Sequence, residues 1–148
     1  VILQEYIQSP NPYITRVEVV GGRFVLAMRS DTSDGFELCP SDACQLGDGA
    51  RPDVCPATSP SNKFSPSPIT ADDPLVAQYL AMCKGEGIDL AGIEFIEDMH
   101  GIRYTYDING TTNYSGVFAK QVGIHGMREV AKFIRAVVVS SRTTRAVA

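Results

Sequence analysis

No stretch of this chain reaches the roughly 18 consecutive apolar residues that a membrane-spanning helix needs, and no signal-peptide pattern opens it. It carries no excess of positive charge: the formal net charge is −4. That excludes a dominant electrostatic attraction to nucleic acid or to an anionic membrane. It leaves room for a polyanionic nucleotide held by a local cluster and a metal. There is no nucleophile elbow, no Walker loop and no dinucleotide glycine fingerprint. The two histidines, His100 and His125, each sit beside glycine in a turn, with no second ligand at helical or strand spacing. The cysteines Cys39, Cys44, Cys55 and Cys83 lack zinc-ribbon or zinc-finger spacing. Without a secretion signal, reduced thiols and a cytoplasmic location are the expectation. The chain also lacks an initiator Met and begins inside the apolar run Val1-Ile2-Leu3. It therefore reads as a fragment or a processed product.

What is present suits a globular fold. The 148 residues match a single domain or one lobe of a larger enzyme, and 44% apolar with 20% charged residues is an ordinary balance. Val1 to Ile7 reads as a buried strand, and Ser9-Pro10-Asn11-Pro12 then imposes a turn. Ile14 to Val20 alternates, with Ile14, Arg16, Glu18 and Val20 on one face and Thr15, Val17 and Val19 on the other. Gly21-Gly22 is a two-residue hairpin signal, and Arg23 to Met28 is the return strand, with Arg29 at its end. From Ser30 to Asp73 the pattern dissolves into Pro, Ser, Asp, Gly and Cys. So long a stretch reads as a substrate-side loop, partly ordered around Phe36 to Cys44.

Asp73 then caps a helix that has Pro74 at its first position. Leu75, Val76, Tyr79, Leu80 and Cys83 recur at helical spacing, and Gly85 and Gly87 stop it. A second hairpin runs from Leu90 to Ile108, with Glu97 to Gly101 as its connection. Gly110 to Val122 reads as a loop. Met127 to about Val139 reads as a helix with Val130, Phe133, Ile134, Val137 and Val138 as its apolar stripe, followed by a frayed tail. Strands joined as hairpins imply an antiparallel sheet. The expected class is α+β: two hairpins in one antiparallel sheet, with helices on one face and the other face free to line a cleft.

The Asp107-Ile108-Asn109 step carries the most chemistry. Residues two apart on a strand point to the same side. A carboxylate and an amide oxygen thus converge, with Glu94 on the partner strand. Three hard oxygen donors suit Mg²⁺, which takes one or two carboxylates and keeps phosphate oxygens and waters. A solvated strand end with ordinary acidic residues fits the same spacing. Arg16 and Arg29 offer rigid forks for phosphate or carboxylate, with Arg16 expected on the open sheet face. Gln4-Glu5-Tyr6-Ile7, at a strand end, could offer backbone groups to a planar base.

In order along the chain, these pieces resemble the C-terminal part of an ATP-grasp ligase, nearest the glutathione synthetase and ribosomal-protein glutamate ligase branch. Gln4-Glu5-Tyr6-Ile7 resembles the hinge that holds adenine. Ile14-Thr15-Arg16-Val17 with Val19-Val20-Gly21-Gly22, and Ala27-Met28-Arg29, resemble the arginine-bearing hairpin. Gly92-Ile93-Glu94-Phe95-Ile96 and Tyr106-Asp107-Ile108-Asn109 resemble the two metal-carboxylate strands.

The resemblance covers about residues 1 to 135 and implies the C-terminal half of an ATP-grasp fold. The activity it implies is ATP-dependent joining of a small carboxylate to an amine through an acylphosphate. Mg²⁺, or Mn²⁺ in its place, would sit on Glu94, Asp107 and Asn109, with Arg16 and Arg29 in catalytic roles. A non-catalytic nucleotide-binding or interaction domain that keeps the fold is the alternative.

Two departures stand out. The family more often has Asp where Glu94 stands and Glu where Asp107 stands, and Cys39 to Cys44 replaces its Asn- and Gly-rich stretch. The family's phosphate-binding lysines and glycine-rich flap precede the hinge. A chain starting at the hinge holds about half of an ATP site and is not expected to turn over alone. The apolar N-terminal strand could pair with missing sequence or with another copy of the chain, giving a homo-oligomer.

Overall fold

The computed structural model describes residues 3–33, 63–110, 114 and 116–146. Its centre is an antiparallel sheet of five strands: β1 (Tyr13–Val20), β2 (Arg23–Asp31), β3 (Phe64–Pro66), β4 (Leu90–Glu97) and β5 (Arg103–Asn109). Their order across the sheet is β3-β2-β1-β4-β5. Three helices accompany it: α1 (Pro74–Glu86), α2 (Gly116–Val122) and α3 (Gly126–Ala146). None of the described helices is long and apolar enough to cross a membrane.

β1 and β2 close through Gly21-Gly22, both at positive φ (58° and 69°). Such a turn matches the right-handed twist of the strands it joins. β2 then carries one extra residue. Val19 faces Phe24 but Glu18 faces Leu26, so Val25 has no Cα partner. That bulge shifts the parity of the rest of β2. β1 is central, with β4 on its other side from Val20↔Leu90 to Thr15↔Phe95.

One face of the sheet is apolar. Val17, Val19, Ala27, Ala91, Ile93 and Phe95 pack with Val76, Tyr79 and Cys83 of α1. Asp73 caps α1, accepting from the Leu75 N–H at 2.9 Å, and Gly87 ends it in the left-handed region. Burial among these side chains pushes the Cys83 thiol pKa up. The second hairpin is tied to α1 by Arg103, which reaches Asp73 and Glu97, each at 3.0 Å. Tyr79 and Thr105 share a hydrogen bond of 2.6 Å across the same seam. On the opposite face, Phe118 of α2 joins Leu26 and Met28 in a smaller apolar cluster near the β2 edge. Between that cluster and β5 the second face is polar.

The α+β antiparallel architecture, both hairpins and the capped helix agree with the sequence reading, but the helices expected on one face are divided, with α1 on one side of the sheet and α2 on the other. Four local expectations also differ. No strand forms over the described part of Val1–Ile7: Leu3 is 92% and Tyr6 83% exposed. Both flanks of the neighbouring β1 are taken by β2 and β4, so the segment cannot pair with the strand that follows it. β2 runs on to Asp31, and the loop expected over 30–73 contains the edge strand β3. Its Pro66 sits at the sheet edge, where a missing N–H costs no ladder bond. The ordering expected at Phe36–Cys44, with Cys39, Cys44 and Cys55, lies outside the described residues.

The stretch read as a loop over Gly110–Val122 contains α2. Helix α3 runs through the expected frayed tail to Ala146. Ile134, Val137 and Val138 of its stripe are exposed, because α3 meets the sheet mainly where Phe133 lies on Gly21.

A Cβ at Gly21 would collide with the Phe133 ring, whereas one at Gly22 meets nothing within 4 Å. Gly22→Ala should therefore cost only the left-handed backbone penalty, about 1–2 kcal/mol. Gly21→Ala should cost that and also release α3. Urea unfolding of the two variants measures the difference, and equal losses would show that Phe133 does not hold α3 to the sheet.

Candidate functional site

The polar centre of the second face is built on Arg16. Strict alternation along β1 puts Arg16 and Glu18 on the side away from α1. The guanidinium lies flat between two carboxylates. Its Nε donates to Glu18 Oε1 at 2.7 Å and its Nη1 to Glu94 Oε1 at 2.8 Å. Arg16 is 2% exposed, Glu18 0% and Glu94 5%. The face on which Arg16 was expected to lie open is closed over it.

Room for the group comes from Gly92, the Cα partner of Glu18 on β4. Any Cβ there would overlap the guanidinium. Arg16 Nη2 is buried without a hydrogen-bond partner among the described residues. Desolvation works against the Arg16 charge, but Glu18 and Glu94 outweigh it and hold its pKa above the ordinary value. Burial pushes the Glu18 carboxyl up, against the pull of Arg16 and of the Tyr114 hydroxyl.

β5 completes the group. Glu94 faces Asp107, and Gly92 faces Asn109, so both β5 side chains share the face of Arg16 and Glu94. Tyr106, between them and β4, donates to Glu94 Oε2 at 2.8 Å. Burial, and next the Glu94 charge, drive the Tyr106 phenol pKa far upward.

Among the described residues, the middle of this face carries the carboxylates Glu18, Glu94 and Asp107 around the guanidinium of Arg16. That imbalance suits a bound cation. Asp107 and Asn109, both half-buried, are hard oxygen donors two residues apart on one strand. An octahedral ion that keeps waters and phosphate oxygens needs no more than one or two such arms. Glu94 already accepts a hydrogen bond at each oxygen. Among the described residues no cluster of three or more His, Cys, Asp or Glu is placed to hold a metal ion by itself.

Arg29 does not join this site. The Val25 bulge pairs it with Thr15 rather than Ile14, which turns it to the α1 face. There its guanidinium stacks 4.4 Å from the centre of the Tyr13 ring. It lines a small cavity of about 180 Å³ with Thr15, Ser67, Phe95 and Arg103. The expectation that Arg16 and Arg29 act together is corrected by that one extra residue. Gln4, Glu5 and Tyr6 are exposed and Ile7 half-buried, in no strand.

Glu18 and Tyr106 were missed as site residues. For Glu18 the signal was present, as an Arg-x-Glu alternation inside an otherwise apolar strand. For Tyr106 it was not, because its role depends on a bulge.

No family profile and no curated protein matches the chain. Solved structures do. The ATP-grasp ligase PsnB, complexed with a minimal precursor, superposes with a TM-score of 0.53 at 15% identity, over 86% of this chain and 35% of that one. The same ligase, complexed with a phosphomimetic variant of the minimal precursor, Mg and ADP, gives 0.52 at 12% identity, over 86% and 33%. Likeness at such identity establishes the fold: the chain has a partial ATP-grasp fold. It spans about a third of the length of the ligase chains it matches.

Two outcomes follow from the Arg16 cluster. Gly92→Ala should lose about 1–3 kcal/mol by overpacking, measured by denaturant unfolding; a neutral result would mean that the guanidinium can relocate freely. Glu18 has a raised folded pKa. Its stabilising share is therefore complete below the ordinary glutamate range and disappears as pH rises through the folded value. The melting temperature of Glu18→Gln, relative to the native chain, should accordingly climb as pH rises from the ordinary glutamate range through the raised folded value. A pH-independent gap would mean that Glu18 is ionised in the fold as readily as in the open chain.

Proposed function

We propose that this chain forms the C-terminal subdomain of an ATP-dependent carboxylate–amine ligase. The observation that carries the proposal is the single face shared by Asp107, Asn109 and Glu94, with Arg16 bound to Glu94 at its centre. The likeness to an ATP-grasp ligase complexed with Mg and ADP supports nucleotide and Mg²⁺ as the ligands of that face. Mn²⁺ can replace Mg²⁺ on the same oxygen donors. The glutathione synthetase or ribosomal-protein glutamate ligase branch rests on the quoted sequence motifs alone.

In this reading Asp107 and Asn109 supply direct oxygen contacts to the ion and Glu94 lies behind them. The ion, when bound, neutralises phosphate charge and orients the transferring group. A substrate carboxylate oxygen attacks the γ-phosphorus of ATP, ADP leaves, and an acylphosphate results. The amine then attacks the acyl carbon, phosphate leaves, and an amide bond is formed. Arg16 is held rigidly by Glu18 and Glu94, and its fixed positive charge serves the charge that develops near the site. Gln4 to Ile7, with their backbone groups uncommitted to any strand, hold the adenine. Arg29, on the other face, takes no part in the phosphoryl step.

The test uses the full-length protein that carries this chain. Asp107→Asn should reduce ADP release in the presence of carboxylate and amine to background. Mg²⁺ with ATP at 100 times its dissociation constant should stabilise the native protein by about 2.7 kcal/mol. Full activity of Asp107→Asn would remove the metal role. Absence of any ATP effect on melting would favour a plain interaction domain.

A further inference from the structure

Strand β5 carries one residue more than its partner. Phe95 faces Thr105 and Glu94 faces Asp107, so Tyr106 is the extra residue of a bulge. In such a bulge two residues oppose one, and the residues beyond it change sides. Strict alternation from Thr105 would set Tyr106 opposite Glu94. Asp107 would then face Ile93, on the apolar α1 side. With the bulge, Asp107 comes to the face of Glu94 while the Tyr106 ring still reaches that carboxylate. Its hydroxyl donates to Glu94 Oε2 at 2.8 Å, and Arg16 donates to Oε1 at 2.8 Å. Glu94 is thereby gripped at both oxygens, from β1 on one side and from β5 on the other.

We infer that Tyr106 is a positioning residue of the cation site: its place in the bulge aims Asp107 and its hydroxyl fixes Glu94. The inference rests on the metal reading of the preceding section and assigns a residue that reading does not contain. Tyr106 itself is no ligand. It acts through Glu94, the carboxylate behind Asp107 and Asn109, as outer hydrogen-bond partners that tune a metal site do. The arrangement also accounts for an aromatic residue at this place rather than an aliphatic one. The ring fills the half-buried space beside Glu94, and the oxygen at its tip meets the carboxylate that would otherwise lack a donor at Oε2.

The experiment follows Mn²⁺ alone, titrated into the ¹⁵N-labelled chain, by paramagnetic broadening of the Asp107 and Asn109 amide signals. Tyr106→Phe keeps the ring and the bulge and removes only the hydroxyl. The Mn²⁺ midpoint should rise by about 10-fold or more, measured well below the melting temperatures of both proteins. The same substitution made in a Glu94→Gln background should add little, because Tyr106 acts through Glu94. An unchanged midpoint in Tyr106→Phe, or a full and additive loss in the double variant, overturns the positioning role while the metal site stands. If Mn²⁺ broadens neither signal in the native chain, the metal reading itself falls, and this role with it.

Discussion

A guanidinium taken out of water between two carboxylates is the constraint around which the second face of this sheet is organised. An arginine buried in that way is costly unless its donors are met. Here two of its nitrogens are met at 2.7 and 2.8 Å. The geometry requires a strand position with no side chain at Gly92, an acid two residues along β1, and Glu94 two residues along from Gly92 on β4. Removing one partner of such a group leaves an uncompensated charge and typically costs about 3–5 kcal/mol. The ion group is therefore fixed in place and can serve as a rigid platform. The neighbouring β5 residues are measured against that platform.

The two faces divide the work between them. The α1 face holds the main apolar cluster and supplies cohesion. The opposite face has only a small apolar cluster near β2 and gives its middle to charge. β1 and β4 serve both. Val17, Val19, Ile93 and Phe95 point one way while Arg16, Glu18 and Glu94 point the other. A rigid core and a polar site thus come from the same strands, and the precision of the site is inherited from the packing behind it.

Much of this was legible in the sequence. Gly21-Gly22 announces the first hairpin, Asp73-Pro74 the start of α1, and the alternation of β1 separates Arg16 and Glu18 from Val17 and Val19. The Asp-x-Asn step places two oxygen donors on one side of β5. What could not be read depends on pairing between strands. An extra residue at Val25 sends Arg29 away from Arg16, and another at Tyr106 brings Asp107 to Glu94. No local pattern marks either one. The edge strand at Phe64–Pro66 is too short, and too rich in proline at its end, to show a period. The N-terminal run Val1–Ile7 is apolar enough to read as a strand, but its described residues pair with none, and both flanks of the β1 that follows are filled by β2 and β4. Val137 and Val138 have the spacing of a core face on α3, yet they are exposed, and the half-buried members of that stripe are Val130 and Phe133.

Asp73 has a part beyond starting a helix. Its Oδ1 accepts from the first turn of α1, and the same carboxylate takes both bonds from Arg103 Nη1. Arg103 also holds Glu97 at the far side of the hairpin turn. The end of α1 and the tip of the β4–β5 ribbon are consequently latched by one shared side chain, so neither can fray without loosening the other. Hydrogen-exchange opening at the two places is coupled into a single local event. Added salt, by screening a half-exposed latch, relaxes both together.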